Sequence, residues 1–172
     1  TIEIDCGAYF EGGEPSPIKI EEHTLDFGLK SYQYFDTIAD ETLLLGSDNH
    51  EVYISYDSGQ TTQKLDFQDK IIEVVFNQYF NTSAYLFGSS NKLYVTHDRA
   101  RSFKEYKLPD AKQLGFPLTF HAKDVDTFIF YGAKDCDSLF SPNCHAVAYI
   151  TKDGGKTFRE LTQGALRCEF IG

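Results

Sequence analysis

Thr151-Lys152-Asp153-Gly154-Gly155-Lys156-Thr157-Phe158 decides the reading of this chain, because two other stretches repeat its pattern. Ser55-Tyr56-Asp57-Ser58-Gly59-Gln60-Thr61-Thr62 and Thr96-His97-Asp98-Arg99-Ala100-Arg101-Ser102-Phe103 share one template: hydroxyl, any, Asp, any, small, any, hydroxyl, bulky. A short carboxylate in such a box can accept hydrogen bonds from backbone N–H groups of its own turn. Glycine in the fifth place supplies a positive φ, and an aromatic in the last can tuck beneath the hairpin. Ser55, Asp57, Gly59, Thr96, Asp98, Phe103, Thr151, Asp153, Gly155 and Phe158 are therefore expected to form structural turn clips. Ala100 in place of glycine and Thr62 in place of the aromatic predict looser turns in those boxes.

Working outward, each box follows an alternating or apolar run: Glu51–Ile54, Lys92–Val95 and Ala146–Ile150. Before each of those lies a run ending in glycine, at Leu43–Gly46, Ala84–Gly88 and Thr127–Gly132, and before that a third, at Tyr32–Phe35, Ile71–Phe76 and Pro117–Phe120. A fourth, shorter run follows each box, clearest in Phe103–Leu108. The boxes begin at 55, 96 and 151, and the longer second interval holds a loop bracketed by Cys136 and Cys144. Four-stranded units recurring every ~40 to 50 residues are propeller blades, which cover their faces by stacking on one another. The expected class is all-β, a partial β-propeller of about three four-stranded blades at 24–68, 69–109 and 116–163, with a fourth starting at 164–172.

Composition agrees with a globular chain: 172 residues, 41% apolar and 15% aromatic. A formal charge of −10 opposes nucleic acid and anionic membrane surfaces. No apolar run reaches the ~18 residues that span a bilayer and no leader opens the chain, so it reads as a soluble mature product or a piece of something longer. Cys136 and Cys144 bracket a loop that a disulfide could staple, the alternative being four reduced thiols at Cys6, Cys136, Cys144 and Cys168. Asn81-Thr82-Ser83 is a glycosylation acceptor triplet, and with the cysteines it points to an oxidising lumen.

Catalytic chemistry is thinly supplied. There is no HExxH, GxSxG or P-loop, and the cysteines have no zinc-site spacing, so neither a metal nor a cofactor is expected. Carboxylates repeated at every blade would not converge on one acid or Ca²⁺ site. Asp boxes also occur on sialidase propellers, and an Asp-box glycosidase is the alternative function. That chemistry needs an arginine triad, whereas the only arginines are Arg99, Arg101, Arg159 and Arg167, in two boxes' vicinity and beside Cys168. Histidine charges between neutral and endosomal pH, and of the five, His145 beside Cys144 is the first candidate for a pH sensor.

Boxes, spacing and the stretches Tyr32–Ser47, Ile71–Gly88, Cys136–Asp153 and Arg167–Phe170 resemble the sortilin family, and within it the start of the second of two tandem lumenal propeller domains of vacuolar sorting receptors. The resemblance implies ten-bladed propellers, a following cysteine-rich module, a membrane span and a sorting tail. It makes residues 1–23 the end of a preceding cysteine-rich module, and pairs Cys6 and Cys168 outside this chain. Its implied function is a lumenal ligand-binding segment of a vacuolar or lysosomal receptor, not an enzyme, that carries soluble hydrolase precursors of the carboxypeptidase Y kind from the Golgi to the endosome or prevacuole. The implied partners are protein cargo and the remainder of the propeller, with membrane reached only through segments absent from this chain. The ligand-binding residues are not assigned by it.

An open arc is also expected to leave outer faces carrying Tyr34, Phe35, Phe128 and Phe130 in water, and so to self-associate or bind an apolar dye. Expressed in a secretory host, the chain is predicted to carry an N-glycan on Asn81: endoglycosidase treatment should increase its gel mobility, and Asn81→Gln should already run at the faster position.

Overall fold

A computed structural model describes residues 22–36, 41–136, 143–165 and 167–171. Every regular element among them is a strand: β1 (Leu29–Tyr34), β2 (Leu43–Ser47), β3 (Val52–Ser55), β4 (Gln63–Leu65), β5 (Ile71–Phe76), β6 (Ala84–Gly88), β7 (Lys92–Thr96), β8 (Lys104–Lys107), β9 (Ala111–Lys112), β10 (Leu118–Phe120), β11 (Phe128–Lys134), β12 (His145–Thr151) and β13 (Arg159–Gln163). They form three antiparallel sheets in chain order, β1-β2-β3-β4, β5-β6-β7-β8 and β10-β11-β12-β13, with β9 also paired to β11. The arrangement is that of a partial β-propeller, an arc that does not close.

Period-two alternation assigns each side chain to a neighbour. In β6, Ala84 and Leu86 pack toward the first sheet with Phe35, Leu44, Val52 and Ile54, while Tyr85 and Phe87 pack toward the third with Phe128, Phe130, Val147 and Tyr149. The central strands are consequently buried almost throughout, as the runs Leu43–Leu45, Ala84–Gly88 and Phe128–Tyr131 show. Rings interlock across the second seam: Tyr85 lies 4.9 Å from Phe120 and 5.1 Å from Phe128. Its hydroxyl donates to the Val125 carbonyl at 3.2 Å. At the first seam, Phe67 after β4 meets Tyr94 at 4.8 Å and Phe103 at 5.0 Å.

Glycines in the second strands of the second and third sheets also have a structural reason. At Gly132 an added Cβ would sit 2.9 Å from Asp110 Cβ and 3.2 Å from Tyr149, and Asp110 accepts a hydrogen bond from the Tyr149 hydroxyl there. Gly88 makes the same room for Asp69.

Three expectations differ from what is found. Phe35, Phe128 and Phe130 are not on the outer faces; they fill the seams, because alternation turns them toward blade two. The third sheet begins at Ala111, ahead of 116, through β9. Residues 167–171 form no strand. They lie instead against the far face of the third sheet, where Cys168 and Phe170 pack on Ile129, Tyr131 and Ala148, and the Tyr131 hydroxyl donates to the Cys168 carbonyl at 3.0 Å.

The second seam supplies a direct test. Tyr85→Phe removes one hydrogen bond and should cost about 1 kcal/mol in urea unfolding. Tyr85→Ala empties the middle of the seam and should cost about 3–5 kcal/mol, by analogy with large-to-small aromatic truncations.

Candidate functional site

The three boxes close equivalent turns between the third and fourth strands of their sheets, and each makes the same bonds. The first hydroxyl donates to an aspartate oxygen at 2.8 Å in all three: Ser55 to Asp57, Thr96 to Asp98 and Thr151 to Asp153. That hydroxyl oxygen accepts from the backbone N–H of the fifth residue, Gly59 at 2.8 Å and Ala100 and Gly155 at 3.0 Å. The carboxylate accepts from both the N–H and the hydroxyl of the seventh residue, Thr61, Ser102 and Thr157, at 2.6–2.9 Å. Ser55, Thr96 and Thr151 are almost fully buried, so without these partners their hydroxyls would be costly. The seventh residues were part of the template, but their role as carboxylate clamps becomes visible only in the structure.

The fourth residue adds a bond the template did not reveal. Its N–H donates to the carbonyl two residues ahead of the sheet's second strand: Ser58 to Glu41 at 2.8 Å, Arg99 to Thr82 at 3.0 Å, Gly154 to Asp126 at 2.9 Å. Fourth and fifth residues both adopt positive φ in every box, including Arg99 (57°) and Ala100 (62°). The turn at Ala100 is therefore not looser, and neither is the one preceding Thr62. The full bond set holds both, and the strain of about 1–2 kcal/mol per left-handed residue is carried by it.

Position within the box also decides which blade a residue meets. The fifth residue abuts the preceding blade: Ala100 lies in the first seam, and a Cβ on Gly155 would stand 3.1 Å from Tyr106 of β8. Phe103 and Phe158 pack into the same two seams. The second residue reaches forward. Tyr56 donates its hydroxyl to the Arg99 carbonyl at 3.1 Å beneath the Arg101 guanidinium, and His97 brings Nε2 to 3.8 Å from Asp126.

Hydrogen bonds from Thr61 hold Asp57 below the usual carboxylate range, and those from Thr157 bring Asp153 down to about 2. Partial burial pushes Asp98 up, but the bonds from Ser102 and Thr96 outweigh it, so it too is lowered. Each of these carboxylates accepts three bonds within its own turn, and they stand one per blade and do not converge on a common point. No cluster of three or more metal-ligating side chains occurs among the described residues.

The remaining sites are scattered. Cys136 and Cys144 are joined by a disulfide that closes the β11–β12 loop, with Cα atoms 4.4 Å apart. Cys168 is a half-buried free thiol, and Cys6 falls outside the described residues. Asn81 is exposed in the β5–β6 turn, where Nδ2 donates to Asp36 at 2.8 Å. His145 stays within its own loop, with Nδ1 donating to the Asn143 carbonyl at 2.6 Å. The histidine that spans blades is His97, held at Nδ1 by Ser83 at 2.9 Å. Arg99 and Arg101 sit in the second box, Arg159 on the outer strand β13, and Arg167 beside Glu169, so the arginines share no pocket.

Geometry thus defines an Asp-box β-propeller segment whose boxes are clips. The comparisons agree. A family model described as Sortilin-Vps10 (sortilin, neurotensin receptor 3) matches residues 50–172, and the chain belongs to the sortilin family. It is 55% identical over 173 residues to an uncharacterized membrane glycoprotein of Saccharomyces cerevisiae, covering 99% of this chain and 16% of that protein. It is 52% identical over 174 residues to the vacuolar protein sorting/targeting protein PEP1 of the same organism, and 50% over 170 residues to vacuolar protein sorting/targeting protein 10 of Kluyveromyces lactis. It covers 100% and 98% of itself in these matches but 11% of each relative, so the chain spans about a ninth of those two proteins. Among solved structures it is similar to YCF48 from Cyanidioschyzon merolae (TM-score 0.52, 18% identity, 80% of this chain and 38% of that one). It is also similar to a GH74 enzyme of Niastella koreensis (TM-score 0.55, 14% identity, 77% and 22%). At these identities the likeness concerns fold alone.

Two expected outcomes follow. Gly155→Ala adds a clash with Tyr106 to backbone strain and should cost about 2–4 kcal/mol. Gly59→Ala, with open space around it, should cost about 1–2 kcal/mol; urea midpoints of the pair decide. Acid titration separates the groups. Burial holds His97 below its ordinary value despite Asp126, so the native state binds fewer protons there and stability should fall as pH drops below ~6.5. Asp153, lowered to about 2, contributes stability that is complete above ~4 and is lost only as pH falls toward about 2. His97→Gln should flatten the thermal-melt dependence between pH 7 and 5 and leave the loss below pH 4 intact.

Proposed function

We propose that this chain is a lumenal ligand-binding segment of a vacuolar sorting receptor that carries soluble hydrolase precursors, carboxypeptidase Y among them, from the Golgi to the endosome or prevacuole. The observation that supports this most is the 50–52% identity along the whole chain to proteins named for vacuolar protein sorting and targeting. In this reading residues 1–23 end a preceding cysteine-rich module, and 24–172 form part of a ten-bladed propeller with the remaining blades supplied elsewhere in a longer protein. Asn81 carries a glycan, the Cys136–Cys144 bridge belongs to the lumenal face of the pathway, and membrane attachment lies outside the segment. The boxes serve stacking, so the segment binds and does not catalyse; a sialidase-like activity has no clustered arginines to hold a substrate carboxylate.

The test is cargo retention by the full lumenal region of the parent receptor, with and without this segment. Deletion should abolish or strongly weaken retention of the carboxypeptidase Y precursor while the other lumenal modules stay folded by circular dichroism. Undiminished retention would remove the segment from cargo binding.

A further inference from the structure

The two working groups of the acceptor triplet Asn81-Thr82-Ser83 have opposite fates in the folded chain. Asn81 stands in the open. It is exposed at the turn between β5 and β6, on the rim of a cleft of about 520 Å³ that Tyr34, Asp36, Gln78 and Tyr79 help to line. Attaching an N-glycan replaces one of the two hydrogens on Nδ2, and the other can still donate to Asp36, which Nδ2 meets at 2.8 Å. The folded chain therefore has room to carry a sugar at this position.

Ser83 is withdrawn. It is 1% exposed, and its Oγ lies 2.9 Å from Nδ1 of His97 in the second box. Its backbone is tied as well, with the N–H donating to the Phe80 carbonyl at 3.0 Å and the carbonyl accepting from the Asn77 N–H at 3.1 Å. The second box also holds the middle of the triplet, since the Thr82 carbonyl accepts the Arg99 N–H at 3.0 Å. Immediately beyond, Ala84 pairs with Phe76 of β5 on one side and Thr96 of β7 on the other. An N-glycosylating transferase recognises the hydroxyl two residues past the asparagine, and here that hydroxyl is inside the blade. Freeing it requires the end of β6 to leave both neighbouring strands and the second box to release it.

We propose that Asn81 receives its glycan only while blade two is unfolded, and that docking of the second Asp box closes the site to the transferase. The inference rests on the reading of the chain as a lumenal segment glycosylated at Asn81, and adds when that glycan can be attached. The donor is a lipid-linked oligosaccharide pyrophosphate. A bond forms between Nδ2 and C1 of the first sugar while the bond from C1 to the pyrophosphate oxygen breaks; the lipid pyrophosphate leaves with the electron pair, and one Nδ2 proton passes to solvent. His97 follows Asn81 by 16 residues, which synthesis at about 5–20 residues per second delivers in about 1–3 s. A hairpin then forms in about 1–10 μs, so occupancy is set by a race between transfer and the arrival of the second box.

The test uses the chain purified without glycan, its folding checked by a cooperative thermal melt. The probe is a purified single-subunit oligosaccharyltransferase with a lipid-linked oligosaccharide donor, and product is read by mass. A synthetic peptide of residues 77–85 serves as the unfolded acceptor, and a Tyr85→Ala chain as the opened blade. The peptide should be modified, the folded chain at least about tenfold more slowly, and Tyr85→Ala severalfold faster than the parent chain. Should Tyr85→Ala not fold at all, modification at the peptide's rate supports the same conclusion. Equal rates for the folded chain and the peptide would overturn the inference and leave the glycan on Asn81 in place. A Tyr85→Ala chain modified as slowly as the parent would remove blade two as the gate. A peptide that is not modified would overturn the inference together with the glycosylation reading. Cargo retention enters none of these outcomes, so the receptor reading stands or falls separately.

Discussion

A four-stranded sheet with apolar side chains on both faces cannot stand alone in water, and that constraint shapes everything described above. Strand alternation sends Leu86 and Tyr85 in opposite directions, so blade two is stable only when sheets lie on either side of it. The same requirement explains the segments that flank the arc. Phe27 stacks on Tyr53 with ring centroids 3.8 Å apart, and Cys168 and Phe170 cover Ile129 and Tyr131. Each shields a face that no further sheet covers among the described residues.

Asp boxes serve that stacking and have no evident part in chemistry. A box is a set of linked bonds: the buried hydroxyl and the seventh residue both donate to the carboxylate, and the fifth N–H donates to the hydroxyl. Its rigidity lets neighbouring positions be used for contacts between blades, with the fifth residue small because the preceding sheet abuts it and the second residue reaching forward. The positive φ of Arg99 and Ala100 shows that these bonds are strong enough to hold residues other than glycine in the left-handed region. The box carboxylates, all held below the usual carboxylate range, stay ionised and keep the clips intact as pH falls below neutrality. Burial between blades holds His97 below its ordinary value.

Much of this was legible from residue order because the fold repeats. Three aligned boxes located the turns, and runs ending in glycine located the central strands; strand edges were missed by a residue or two. What stayed hidden depends on neighbours distant in sequence. That Phe128 and Phe130 face inward follows from which side blade two occupies, which alternation alone leaves open. β9 is two residues long and carries no periodicity, so the looped-out Leu114-Gly115-Phe116 could not be recognised as an insertion within an inner strand. His145 drew attention by standing beside a cysteine, whereas His97, in a place the template left unrestricted, gains its setting only from Asp126 and Ser83. Of the functional surface, sequence supplied the class of protein and none of the contact residues.

The claim on which the rest depends is that the blades hold one another up. Native-state hydrogen exchange on a Phe128→Ala variant, read amide by amide, tests it most directly. Phe128 belongs to blade three but fills the seam with blade two, so protection should fall in both β11 and β6, at Tyr85 and Phe87 as much as at Ile129 and Tyr131. Loss of protection confined to the third sheet, with β6 exchanging as in the parent, would contradict it.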